Sequence, residues 1–98
     1  MDHLADRLDR AADTLATVGR RLPALTVAAS ALGADDAGVP GRLGRLLHAR
    51  WVAVLEARER EAADLAGRLT EAAGAVRAVA HDYAVTDEAV RRRLERER

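Results

Sequence analysis

Few residues in this chain could do chemistry, and their spacing argues against it. The histidines are His3, His48 and His81, and there is no cysteine. No His-Glu-x-x-His or Glu-x-x-His spacing occurs, so helical metal sites built on those patterns are not expected. His81 and Asp82 are neighbours, which on a helix points them about 100° apart. All three histidines read as surface or rim residues. Ser30 is the single serine and lacks the Gly-x-Ser-x-Gly elbow of a nucleophile. The glycine-containing stretch from Gly33 to Gly41 lacks the Gly-Lys-Ser/Thr ending of a phosphate cradle, and its Asp35 and Asp36 would repel phosphate. The chain is therefore expected not to be an enzyme and to need no cofactor or metal.

What remains are residues suited to recognition. Tyr83 is the only tyrosine, and Asp87 follows it four positions later, on the same face if the segment is helical. Trp51 is the only tryptophan. It reads as a packing anchor where two helical hairpins meet, and as a recognition element as well. The terminal "RRRLERER" holds a cluster of arginines, offset by Glu88, Glu95 and Glu97, and reads as a solvated helix end. Over 98 residues the 16 basic and 16 acidic side chains cancel, so a nucleic-acid partner is not expected.

The elements that must position these residues follow from periodicity. Leu4, Leu8, Ala11, Leu15, Val18, Leu22, Leu25, Ala29 and Leu32 recur at steps of four and three, which predicts a first helix over about residues 2–32. Pro23 has no N–H and should kink it. "GADDAGVPG" is the strongest punctuation and predicts a loop over 33–41. Leu43, Leu47, Trp51, Leu55, Arg58, Ala62, Leu65, Leu69, Ala72, Val76, Val79 and Tyr83 then predict a second helix over about 42–84. The tail 85–98 is helix-competent, with Thr86 or Asp87 able to cap a new turn, and is expected to be frayed or partner-dependent.

These elements make an all-α, single-domain antiparallel hairpin. Pairing the helices around the loop sets Leu32 opposite Arg42 and Asp2 roughly opposite Ala72, so everything beyond about Gly74 should overhang, Tyr83 and Asp87 included. Two helices cannot enclose a core. Small residues on the flanks (Ala5, Ala12, Ala16 and Ala28; Ala66, Ala73 and Ala80) would let another helix approach, which predicts a dimeric four-helix bundle. Trp51, Leu47, Leu55, Leu65, Leu69 and Val76 are the expected partner interface. No stretch approaches the ~18 uninterrupted apolar residues of a membrane span. The charged start "MDHLADRLDR" is not a secretory signal peptide. Lys, Asn, Gln and Ile are missing while Ala, Arg, Gly, Leu and Val dominate, which points to a high-G+C genome and fits an actinobacterial source.

The length, the two-helix pattern, "LGRLLHARWVAVL" with Trp51 early in helix two, and the Ala/Leu-rich helix ending in "AHDYAVTDEA" together resemble the small helical-hairpin proteins of type VII (ESX) secretion. These are the WXG100-like superfamily, and within it the EspC-like secretion-associated branch. The likeness covers about residues 4–88. The turn here is "GVPGR" and Trp51 is followed by Val52 and Ala53, so the Trp-x-Gly of the central family type is absent, which favours the EspC-like type or a partner subunit. The resemblance implies a protein made in the cytoplasm and exported as a folded homodimer or heterodimer, with another helical hairpin or the N-terminal domain of an effector it escorts. It further implies secretion or cell-envelope association without a cleaved signal. The family's Tyr-x-x-x-Asp/Glu signal maps to Tyr83 and Asp87 and would be read by the secretion ATPase. The same periodicity, taken without the resemblance, fits a cytoplasmic helical adaptor or oligomerisation module with no export role.

Overall fold

The computed structural model describes residues 2–97, and the side chains of residues 3–97. The protein is all-helical, with no strand among the described residues. Helix α1 runs Asp2–Arg21, two 3₁₀ turns follow at Leu22–Leu25 and Ala29–Leu32, and helix α2 runs Gly38–Arg96. The fold divides into two compact units, Thr14–Leu65 and Met1–Asp13 with Ala66–Arg98.

Helix α1 ends sooner than the apolar period predicts. Pro23 cannot donate to a carbonyl one turn back, so the α-helix stops at Arg21 and a 3₁₀ turn takes up the proline near its start. Thr26 (ψ 134°) and Ala28 (ψ 140°) are extended, so this is a break and not a kink. The second 3₁₀ turn closes on Gly33, whose φ of 81° is left-handed. There the Gly33 amide donates to the Ser30 carbonyl at 3.0 Å and the Ala34 amide to the Ala29 carbonyl at 3.2 Å.

Within the unit Thr14–Leu65 the chain is an antiparallel hairpin. Arg45 Nη1 donates to the Ala34 carbonyl at 2.7 Å, and Trp51 Nε1 donates to the Leu25 carbonyl at 3.1 Å. Gly19 lies on Ala62 so closely that a Cβ on Gly19 would sit 2.9 Å from the Ala62 Cβ. The break lengthens this first strand of the hairpin. Extended and 3₁₀ residues advance about 3.3 and 2.0 Å each, against 1.5 Å in an α-helix. About thirteen residues from Gly19 to Leu32 therefore match about eighteen of α2, from Gly44 to Ala62. A register counted as if both strands were α-helical runs several residues short.

In the unit formed by Met1–Asp13 and Ala66–Arg98 the first segment again packs on α2. Arg77 bonds both Asp6 and Asp9, and Leu4 shares a groove with Ala75, Val76 and Val79. Cover by α1 thus reaches about Val79, later than the predicted limit near Gly74. Helix α2 then continues through the stretch expected to fray. No Gly or Pro interrupts it from Ala75 to Arg96. Glu88 also pairs with Arg91 and Arg92, and Arg93 with Glu97, at helical spacings worth about 0.2–0.5 kcal/mol each. Thr86 and Asp87 lie inside the helix and cap nothing; residue 98 is outside the described residues.

The turn leaves no room for a side chain at Gly41 or at Gly44, where an added Cβ would run into the Asp36 and the Leu32 carbonyl oxygen respectively. Helix propensity alone favours Ala over Gly by about 1 kcal/mol. Gly44→Ala is nevertheless expected to destabilise the protein by about 2 kcal/mol or more in chemical unfolding. A neutral or stabilising result would mean that the turn does not approach α2 this closely.

Candidate docking surfaces

The side chains that hold the helices together are small. The buried apolar residues are Ala5, Ala12, Ala34, Leu55, Ala66 and Ala73, with no buried polar or charged residue beside them among the described residues. Gly19 continues the spacing of Ala5 and Ala12, seven residues apart, and is buried too. Between these positions Leu8 and Leu15 on α1, and Ala62, Leu69, Val76 and Ala80 on α2, are half-buried. The seam of α1 is therefore Ala5, Leu8, Ala12, Leu15 and Gly19. That of α2 is Leu55, Glu59, Ala62, Ala66, Leu69, Ala73, Val76 and Ala80. Both step by three and four, the period of a coiled-coil contact.

Leu8, Leu15, Leu55, Ala62, Leu69 and Val76 keep their predicted places in the seam, and the rest of it shifts by one residue: Leu4, Ala11 and Val18, and Leu65, Ala72 and Val79, were expected to face the other helix and are exposed. Of the alanines expected to receive a further helix, Ala5, Ala12, Ala66 and Ala73 are turned inward, Ala16 and Ala80 are half-buried and Ala28 is exposed. The reason is distance: a methyl or hydrogen lets two backbones come within van der Waals reach, as at Gly19 and Ala62, whereas a Leu at the same place would force them apart.

The displaced large residues lie to one side of the seam within each unit. Each stands one position before a seam residue: Leu4 before Ala5, Val18 before Gly19, Leu43 before Gly44, Val54 before Leu55, Leu65 before Ala66, Val79 before Ala80. One residue is a rotation of about 100°. In two antiparallel right-handed helices, the same rotation away from a shared seam carries both columns to the same side. Each unit therefore has its own apolar side. In the unit formed by Met1–Asp13 and Ala66–Arg98, Leu4, Val76 and Val79 line one apolar groove. In the unit Thr14–Leu65, Val18, Leu43, Leu47, Val54 and Leu65 are 43–53% exposed. A row of large apolar side chains left in water is a candidate interaction surface.

The residues one position after the seam are polar or small. Asp6, Asp9 and Arg77 all lie there, with Arg77 Nη2 2.9 Å from Asp6 Oδ1 and 2.7 Å from Asp9 Oδ2. The hydrogen bonds to Asp9 and then Asp6 raise the Arg77 pKa above its ordinary value. The guanidinium is charged at any physiological pH in either case, so the cluster fixes register and is no switch. No local sequence signal marks a pair separated by 71 positions.

The expected interface residues divide. Leu47 and Leu65 are exposed on the apolar side, Leu69 and Val76 are half-buried in the seam, and Leu55 is taken up by the chain's own packing. Trp51 is 39% exposed and spends its indole N–H on the Leu25 carbonyl, so it anchors the break after α1 within its own chain. Val18, Leu43 and Val54 lie on the apolar side of their unit and Leu4 on that of its own, and none of the four was among the expected interface residues. A large apolar residue followed by a small one, as Leu4–Ala5 and Val18–Gly19 and again Leu65–Ala66 and Val79–Ala80, was the available signal.

Tyr83 stands beyond the contacts of Leu4 and Arg77 and is 71% exposed. Asp87 is one turn further along the same face and also exposed. Val90 (51%) and Leu94 (60%) extend the row. No cluster of three or more His, Cys, Asp or Glu side chains able to hold a metal occurs among the described residues, and no helix there is long and apolar enough to cross a membrane.

The seam and the face should respond differently to substitution. Ala73→Leu overfills the seam and is expected to cost about 1–3 kcal/mol of stability. Val79→Ala, on the exposed side, should change the stability of the dilute protein by no more than about 0.5 kcal/mol. Equal costs would refute the assignment of the two columns. No protein-family model, no curated protein and no solved structure matches this chain.

Proposed function

We propose that this protein is a substrate or secretion-associated partner of a type VII (ESX) secretion system. It is made in the cytoplasm and exported folded, without a cleaved signal peptide, to the cell envelope or beyond. In this reading Tyr83 and Asp87 are the export signal, docked by the secretion ATPase. The observation that carries it is the exposure of Tyr83, one turn from an exposed Asp87, on a continuous helical stretch of α2 that α1 does not cover. A helix that presents an aromatic ring with a carboxylate one turn away suits helix-in-groove recognition, the ring as anchor and the carboxylate fixing orientation. The chain's own packing gives Tyr83 little to do, so its exposure is not explained by the fold.

The apolar face belongs to the same proposal. It supports pairing with another helical hairpin, a second copy or the N-terminal domain of an escorted effector, as a four-helix bundle. Nothing in this reading calls for catalysis, a metal, nucleic acid or insertion into a membrane.

Tyr83→Ala and Asp87→Ala test the export signal. Both variants should keep the helical circular dichroism and thermal midpoint of the parent, since both side chains are exposed. Both should be lost from the culture filtrate and envelope fractions and accumulate in the cytoplasm. Normal export of the two variants would remove the export reading and leave a cytoplasmic helical adaptor.

A further inference from the structure

The apolar side of the unit Thr14–Leu65 carries a pattern complementary to itself. Along α2 it reads Val54, Arg58, Glu61, Leu65: apolar, basic, acidic, apolar, at steps of four, three and four. Each of the four stands one position before a residue of the α2 seam, so all share one face. Val54 is 43% and Leu65 49% exposed, and the Arg58 and Glu61 side chains are 63% exposed each. Arg58 Nη1 reaches Glu61 Oε2 at 2.8 Å within the chain. An exposed pair of this kind contributes little to the stability of one chain. Its place, in the middle of an otherwise apolar row, is not accounted for by the hairpin.

The pattern is symmetric in spacing and opposite in charge about the midpoint between Arg58 and Glu61. An antiparallel copy of α2, related by a two-fold axis through that midpoint, brings opposite charges together at the centre and apolar side chains together on either side of them. A parallel copy would set Arg58 beside Arg58 and Glu61 beside Glu61, a repulsive arrangement. A chain of unrelated sequence would have no need of the symmetry.

We propose that the occupant of this face is a second copy of the same chain, antiparallel, with its two-fold axis between Arg58 and Glu61. Each Arg58 faces Glu61 of the other copy, and each Val54 faces Leu65 of the other copy. The interface is isologous, as closed homodimers are. The four charges form one network at its centre, where they fix register and reject other alignments. This assignment rests on the reading of the face as a pairing surface and is independent of the export signal.

Charge exchange tests it on the purified full-length chain, by light scattering and native mass spectrometry, with helicity checked by circular dichroism. The parent should be a dimer. Arg58→Glu alone places four carboxylates at the axis and Glu61→Arg alone places four guanidinium groups there. Each should weaken self-association by about tenfold or more. An equal mixture of the two single variants should form a one-to-one heterodimer, because both contacts regain opposite charges. The double variant carrying both exchanges should again be a homodimer. Single variants that dimerise as tightly as the parent, a mixture that remains monomeric, or a parent that stays monomeric and binds only a different chain would each overturn the proposal. Loss of export in the Tyr83 and Asp87 variants is read separately, so either proposal can fail without the other.

Discussion

Backbone-to-backbone approach across a seam of alanine and glycine is the constraint on which the rest of the structure depends. At Gly19 and Ala62 the two segments are so close that one methyl group on Gly19 would not fit. Ala5, Ala12, Ala66 and Ala73 repeat the condition along the helices. Close approach gains dispersion and excludes water, but each alanine removes little apolar area from water. A hairpin held this way is therefore marginal by itself. Among the described residues, Leu55 is the one large side chain in the buried set.

The same choice of inner residues decides what faces out. A helix with a three-and-four period has one stripe to bury, and here the stripe is wider than the seam. Its small half closes the hairpin. Its large half is left exposed within each unit: Val18, Leu43, Leu47, Val54 and Leu65 in the one, and Leu4 and Val79 in the other, where Asp6, Asp9 and Arg77 take the opposite side of the seam. Internal packing and the capacity to pair are thus assigned to adjacent columns one residue apart. Beyond Val79 the seam has no partner, and α2 carries Tyr83, Val90 and Leu94 into solvent on a helix braced by its own ion pairs.

The helices, their antiparallel arrangement and a turn beginning at Gly33 were legible in the sequence, because period and glycine–proline punctuation report them directly; the turn is shorter than the expected 33–41, since α2 already begins at Gly38 and takes Pro40 into its first turn, where a missing N–H costs nothing. The phase was not. A reading weighted by hydrophobicity places Leu65 and Val79 in the seam, whereas the seam is set by which side chains are small enough, and Ala66 and Ala80 satisfy that. The register was misjudged for a related reason: Pro23 produces a break with extended residues at 26–28, and those cover more length than helical ones. The tail was read as frayed because Thr86 and Asp87 resemble a cap. With no glycine or proline nearby and Glu88 pairing forward, the helix continues through them. Exposure of Tyr83 and Asp87 was anticipated, and for the right cause, the shorter reach of α1.

A face of large apolar residues beside a core of alanines implies that the chain is more stable when the face is covered. The direct measurement is the thermal midpoint of the parent chain by circular dichroism over about a hundredfold range of concentration. The midpoint should rise with concentration, by several degrees for a domain of this size. A midpoint that does not move, in a chain that stays monomeric throughout, would contradict the account, because the hairpin would then be stable with its apolar side in water.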